Sequence, residues 1–180
     1  SLQGSNPVAR VQIFVSAVSA EFGSFRNELQ RRLSGLDVEV HVQQDFVATG
    51  TVTLDKLDSY IQRCDAVVHV VGDMTGWPAL APSVAYLRKR YPDLGQQYPA
   101  LLPFLEPGKP SLPYTQWEAW LALYHDKMLI VARPEPVAPL TADRTTAGFP
   151  NALIAAGPLT QTVAADASTL PFDRVNMWPF

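Results

Sequence analysis

The chain has 180 residues, a length that fits one domain of ordinary size with an appendage. Its 47% hydrophobic and 17% charged residues exclude wholesale disorder, and its net charge of -3 leaves no large basic surface for nucleic acid. The single cysteine, Cys64, cannot form an internal disulfide, and no apolar run approaches the roughly 20 residues that cross a bilayer. We therefore expect a cytoplasmic protein that folds without disulfides or a metal and binds neither nucleic acid nor membrane.

The first predicted strand covers residues 11–15, a β-branched and aromatic run that ends in the small polar segment 16–19. An amphipathic helix follows, for which Ser19 is the predicted N-cap and Glu21 suits the positive end of the helix dipole. The predicted apolar stripe of this helix consists of Phe22, Phe25, Leu29 and Leu33.

The same alternation of strand and helix then repeats. Residues 38–42 alternate with period two and predict a second strand, after which residues 43–50 form a loop. An apolar stripe over residues 54–64 predicts a second helix, and the nearly all-apolar residues 66–71 are typical of a central parallel strand. This rhythm predicts a doubly wound α/β fold with a parallel sheet.

Eight of the 16 prolines fall in residues 78–113, which marks residues 74–113 as an insertion in that alternation. We expect one short helix at residues 83–90 and otherwise an extended run over the surface, where lids often form. Helical periodicity returns at residues 114–125, and residues 127–132 predict a fourth strand. A fifth strand is poorly marked.

The expected domain covers residues 10–165. Residues 1–9 have the composition of a leader or tag scar, and residues 166–180 that of a linker to a downstream domain.

Polar residues follow the predicted strands, and ligands of open parallel sheets bind beyond the carboxyl ends of the strands. We therefore expect residues 16–19, 45–50 and 72–77 to converge with the start of the helix at Tyr114. Ser16 also precedes a helix N-terminus, which favours binding of a phosphate or carboxylate. Alternatively, the serine only caps the helix and contacts no ligand.

Glu118 is the most informative carboxylate, because it lies one turn after Tyr114 and next to Trp117 on a largely aromatic and apolar helix. It is either a boundary residue paired with a cation or a catalytic carboxylate beside aromatic rings.

Other chemistries find little support in the sequence. The three histidines, His41, His69 and His125, do not cluster, so neither a metal site nor a Ser-His-Asp triad is predicted. Cys64 closes an apolar stripe and is interpreted as a core residue. No glycine-rich phosphate motif is present, which disfavours a bound NAD redox cofactor and ATP hydrolysis, and we expect no cofactor.

Four segments together resemble the TIR and TIR-like domain family. They are Val-Gln-Ile-Phe-Val-Ser at 11–16, Gln-Gln-Asp-Phe at 43–46, Asp-Ala-Val-Val-His-Val-Val-Gly at 65–72 and Tyr-Thr-Gln-Trp-Glu at 114–118. The resemblance covers about residues 10–132 and is closest to TIR-like domains at the front of bacterial multidomain defence proteins. It implies a flavodoxin-like sheet of four to five strands with helices on both faces.

The resemblance also implies an activity. Enzymatic members cleave the nicotinamide–ribose bond of NAD+, some with cyclisation of the ADP-ribose, by a glutamate in the helix before the fourth strand. By position this residue is Glu118, which makes NAD+ the expected substrate. Self-association is expected to activate such a domain, with antiviral defence as its role and downstream domains and further copies of the chain as its partners. The candidate substrate-binding residues are Phe14, Ser16, Asp45, Phe46, Trp77, Tyr114 and Trp117.

Two other functions stay open at this stage. One is a non-enzymatic TIR-like module that only assembles, and the other is an enzyme similar to nucleoside deoxyribosyltransferases, which also cleave N-glycosidic bonds with a glutamate. A phosphoacceptor receiver domain is disfavoured, because the first strand lacks the adjacent acidic pair that binds Mg2+.

Overall fold

The structure is a computed structural model that describes residues 10–42, 54–72, 78–109 and 111–132. Within these ranges the strands are β1 (Val11–Ser16), β2 (Val38–Val42), β3 (Ala66–Val70) and β4 (Met128–Ala132). They pair in parallel in the order β2-β1-β3-β4, as in a flavodoxin-like fold. The predicted doubly wound α/β class is therefore confirmed, while the expected fifth strand lies outside the described residues.

Helices cover both faces of the sheet. Within the same ranges no helix is long and apolar enough to span a bilayer. The helices are α1 (Ser19–Leu33), α2 (Leu54–Arg63), α3 (Ala81–Arg90), α4 (Leu94–Gln97), a 3-10 turn (Pro99–Leu101), α5 (Leu102–Leu105) and α6 (Tyr114–Tyr124).

Two apolar clusters lie on opposite faces of the sheet, because side chains alternate along each strand. Val15 and Val68 belong to the cluster on the α1 side, whereas Phe14 and Val67 belong to the cluster that includes α2 and α6. All five residues of β3 are buried, as predicted for a central strand.

Helix α1 differs from its prediction in two ways. Ser19 is its first residue and not its N-cap, and the Ser19 hydroxyl accepts a hydrogen bond from Arg26 at 3.0 Å. Phe22 departs from helical geometry (φ -127°, ψ 16°), which shifts the phase of the buried face. As a result Arg26 is fully buried, while the predicted core residue Phe25 is 50% exposed.

The Pro-rich insertion is also more ordered than predicted. The expected short helix is confirmed as α3, but the extended surface run is wrong for the following residues, which form α4, the 3-10 turn and α5. Pro82, Pro99 and Pro103 lie in first turns, where a missing N–H is tolerated, so they begin these helices. Leu94 and Leu101 of the insertion are buried in the α6-side core.

A buried carboxylate ties this insertion to the rest of the domain. Asp58 of α2 accepts hydrogen bonds from the hydroxyls of Tyr91 at 2.6 Å and Tyr86 at 3.0 Å. Its other oxygen lies 2.6 Å from Nε2 of His125, at the end of α6. Burial by itself raises the pKa of Asp58, but the hydrogen bonds from His125 and Tyr91 outweigh it, and the net effect is a lowered pKa. An ionised Asp58 therefore joins α2, α3 and α6.

We predict that Asp58→Ala lowers the free energy of unfolding by about 3 kcal/mol at pH 7, because two tyrosine hydroxyls and His125 lose their shared acceptor. Urea unfolding measures the loss. The matched control is Asp55→Ala, which removes an exposed carboxylate from the first turn of the same helix and is expected to cost less than about 1 kcal/mol. Equal losses in the two variants would contradict the structural role of Asp58.

Candidate active site

The carboxyl ends of β1 and β3 bring a serine and a histidine together. Ser16 is paired in register with His69, and both side chains lie on the α6 face of the sheet, two residues after Phe14 and Val67. Ser16 Oγ lies 3.0 Å from Nδ1 of His69 and 3.3 Å from the backbone carbonyl oxygen of Thr115 in α6. This pair therefore fixes the end of the sheet against the start of α6.

His69 is a neutral ring in this environment. Burial lowers the pKa of His69 to about 4, because a charged imidazolium is poorly solvated in the core. Only 2% of the residue is exposed, and Ser16 is fully buried. With both side chains buried, the pair is out of reach of a substrate in this structure.

Glu118 lies in the second turn of α6, next to this pair, and has no exposed surface. Burial raises the pKa of Glu118 to about 8, and the nearby Ser16 hydroxyl and Arg26 guanidinium offset only part of that rise. No group in the described part of the chain makes a hydrogen bond of good geometry to either carboxylate oxygen. Glu118 is therefore mostly protonated at neutral pH.

Arg26 supplies the positive charge of the site. It is fully buried on α1, where Nη1 donates hydrogen bonds to Ser19 Oγ at 3.0 Å and to the Ala17 carbonyl oxygen at 3.4 Å. These contacts hold the guanidinium at the loop that follows β1. From there its charge favours the ionised form of Glu118.

A second carboxylate lies at the same end of the sheet. Glu21 is 2% exposed and, with Phe22, lies directly against the backbone of Gly72, which follows β3. A Cβ atom at Gly72 would overlap both side chains, so glycine is the residue that permits this close approach. The break in α1 at Phe22 lies at this contact.

The candidate aromatic residues occupy different environments. Phe14 and Trp117 are fully buried in the α6-side core, and Trp117 Nε1 donates a hydrogen bond to Ser111 Oγ at 3.0 Å. Tyr114 is partly buried, and its hydroxyl accepts a hydrogen bond from the Leu80 backbone N–H at 3.2 Å. Phe14 and Trp117 can reach a substrate only after a rearrangement, whereas part of Tyr114 is already exposed.

The structure thus brings together Ser16, Glu118 and the first turn of α6, as the sequence predicted. The other three candidates, Asp45, Phe46 and Trp77, lie outside the described residues. Cys64 lies in the core, where burial raises the pKa of its thiol to about 11, so it is no nucleophile at neutral pH.

Arg26 and His69 were not predicted from the sequence as residues of the candidate site. For Arg26 the available signal was its spacing, since Phe22, Arg26 and Leu29 share one helical face and a cation on an apolar face needs a partner. For His69 the signal was a single polar residue within a β-branched central strand. Its pairing with Ser16 depends on the register between β1 and β3, which the sequence alone does not specify.

No family model, curated protein or solved structure matches this chain. The interpretation of the site therefore depends on its own geometry and chemistry.

We predict that Glu118→Gln stabilises the protein increasingly as the pH rises from 4.5 to 8. The unfolded chain releases the Glu118 proton near the ordinary pKa of 4.5, whereas the folded protein retains it up to about 8, so the wild type loses stability across this range. The neutral glutamine avoids that loss. The difference between the two free energies of unfolding is expected to reach the order of a few kcal/mol by pH 8 and then stay constant.

Urea unfolding at several pH values measures this difference. The control is Glu106→Gln, which removes an exposed carboxylate in the insertion and is expected to give a difference below about 0.5 kcal/mol at each pH. A Glu118→Gln difference that does not change with pH would show that the folded protein does not retain this proton.

Proposed function

We propose that the chain is an NAD+ nucleosidase in which the Glu118 carboxylate assists cleavage of the nicotinamide–ribose bond. The observation that carries this proposal is a fully buried glutamate with a raised pKa, next to Ser16 and Arg26 at the carboxyl end of a parallel sheet. Ligand sites of such sheets lie at that end, and perturbed carboxyl groups in such positions are candidates for catalysis. The resemblance of residues 114–118 to the TIR-like catalytic helix supports the same residue.

The reaction suits a single carboxylate. The bond between the ribose anomeric carbon and the ring nitrogen breaks with its electron pair going to nicotinamide, which leaves as a neutral molecule and needs no proton. The positive charge moves to an oxocarbenium-like ribose, and an ionised Glu118 stabilises it. Water then adds to the anomeric carbon and releases its proton to the carboxylate or to solvent.

The raised pKa of Glu118 is compatible with this role. The ring of bound NAD+ carries a positive charge, and a cation beside a buried carboxyl favours its ionised form. The charge of Arg26 also favours the ionised form of Glu118, before the substrate binds. Binding of the cationic substrate would therefore generate the reactive carboxylate in the place where the oxocarbenium charge develops.

Complete burial of Glu118 supports a resting state that is closed to substrate. Activation then requires a rearrangement that opens a path to the carboxylate, and self-association of the chain is the proposed trigger. Such control fits a domain that acts with downstream domains in bacterial antiviral defence, as the TIR-like resemblance implies.

The pKa of about 8 also favours a second candidate, an enzyme similar to nucleoside deoxyribosyltransferases. A nucleobase leaves an uncharged nucleoside as an anion unless it receives a proton, so it is a poorer leaving group than nicotinamide. A protonated Glu118 can donate that proton. The nucleosidase uses the ionised form of Glu118, whereas the second candidate uses the protonated form. The two candidates therefore predict opposite dependences of activity on pH.

We predict that concentrated protein releases nicotinamide from NAD+ and that Glu118→Gln lowers kcat/KM at least about 100-fold. Chromatography measures the product, with and without a crowding agent that promotes self-association, and Glu106→Gln is the matched control with full activity. Because kcat/KM reports the free enzyme, its pH profile is expected to rise as Glu118 ionises, with a midpoint above the ordinary carboxyl pKa of 4.5.

The contradicting outcomes are distinct. Release from Glu118→Gln at the wild-type rate would remove Glu118 from the mechanism. Cleavage of a 2'-deoxynucleoside in preference to NAD+, with activity that falls as the pH rises through 8, would select the second candidate. No turnover by folded and self-associated protein would favour the non-enzymatic assembly module.

A further inference from the structure

The Ser16 hydroxyl is the point at which three polar groups of the site meet. Its oxygen lies 3.0 Å from Nδ1 of His69 and 3.3 Å from the carbonyl oxygen of Thr115, which precedes Glu118 by one turn of α6. The Ser16 hydroxyl also lowers the pKa of the Glu118 carboxyl. A hydroxyl group has one proton to donate. It can therefore stabilise an ionised Glu118 only if His69 does not take that proton.

The tautomer of His69 decides which group receives the proton. A neutral imidazole carries one N–H group and one bare nitrogen. If Nδ1 is bare, it accepts the Ser16 proton and none is left for Glu118. If Nδ1 carries the hydrogen, it donates to Ser16 Oγ, and the hydroxyl proton is then available to the carboxylate.

In the described part of the chain, few groups favour an ionised Glu118. From α1 the charged group acting on Glu118 is Arg26, from β1 the polar group is Ser16, and from β3 His69 acts through Ser16. On α6 itself, the buried side chains near Glu118 in sequence are apolar or uncharged, as in Thr115, Gln116 and Ala119. Among the described residues, the Ser16 hydroxyl and the Arg26 guanidinium are the groups that favour the ionised carboxylate.

We propose that His69 is a positioning residue for Glu118: its Nδ1–H group donates a hydrogen bond to Ser16 Oγ and thereby directs the Ser16 hydroxyl proton to the ionised carboxylate. No bond is made or broken in this step. When Glu118 takes up a proton, the Ser16 hydroxyl turns to the Thr115 carbonyl oxygen. The inference rests on the proposed function in one respect, which is that the ionised Glu118 carboxylate takes part in the reaction.

The tautomer can be measured without any substitution. The 15N chemical shifts of the His69 ring at pH 9, where Glu118 is ionised, are expected to show a protonated Nδ1 and a bare Nε2. His69→Asn serves to assign the resonance. A bare Nδ1 would overturn the proposal.

The effect on Glu118 is measured by 13C NMR titration of its carboxyl carbon in protein labelled at glutamate, with Glu118→Gln as the assignment. His69→Leu removes the donor and Ser16→Ala removes the hydroxyl, and each is expected to raise the pKa of Glu118 by about 1 to 2 pH units. The double variant is expected to show no further rise. His69→Asn, which keeps an N–H donor near Nδ1, is expected to remain near the wild-type value, as is the control His41→Asn on β2.

An unchanged pKa of Glu118 in folded His69→Leu, or effects of the two single variants that add, would overturn the proposal. The activity assay distinguishes a failure of the positioning role of His69 from a failure of the proposed nucleosidase function. Nicotinamide release with a pH midpoint that stays unchanged in His69→Leu would remove the role of His69 and leave the nucleosidase standing. The expected tautomer and pKa shifts without any turnover would leave the positioning role standing and remove the nucleosidase.

Discussion

Burial of one carboxyl group, that of Glu118, is the constraint on which the candidate site at the carboxyl end of the sheet depends. It follows from the packing of α6, whose residues from Thr115 to Ala122 are all buried. The sheet and α2 cover part of this helix, and the Pro-rich insertion covers another part, with Tyr98 packing on Trp120 at 5.3 Å between ring centroids. An insertion that would otherwise be a surface decoration thus makes α6 a central helix.

The buried polar groups divide the domain into two regions with different tasks. Asp58 is ionised and accepts hydrogen bonds from several partners, so it holds the insertion in place. Glu118 is buried without such partners in the described part of the chain, so its charge is costly and its proton is easily retained. The first arrangement is typical of structural stabilisation, and the second is typical of sites that give up stability for reactivity.

Residues with clear periodicity were predictable, and residues whose role depends on tertiary contacts were not. Alternation at residues 38–42 and the apolar run at 66–71 gave two strands correctly, since burial of one or both faces leaves a direct pattern. The buried face of α1 was predicted wrongly at Phe25, because the local break at Phe22 changes the helical phase. The prolines of the insertion led to the prediction of a largely extended run, although several lie in the first turns of helices.

The site itself was predictable only in part. Glu118 and Ser16 follow from the rule that strand ends and helix starts converge at one edge of a parallel sheet. The raised pKa of Glu118 does not follow from the sequence, because it depends on how many elements pack around α6. The same holds for the contribution of Arg26, which reaches the site from the opposite side of the sheet.

In the proposed mechanism, Glu118 is a protonated acid at neutral pH that a cationic substrate converts to a carboxylate. Calorimetry in buffers of different ionisation enthalpy measures the protons released when the protein binds a non-hydrolysable NAD+ analogue with a cationic ring. At pH 7 the account predicts release of about one proton per analogue bound by the wild type and none by Glu118→Gln. Equal proton release by the two proteins would contradict it.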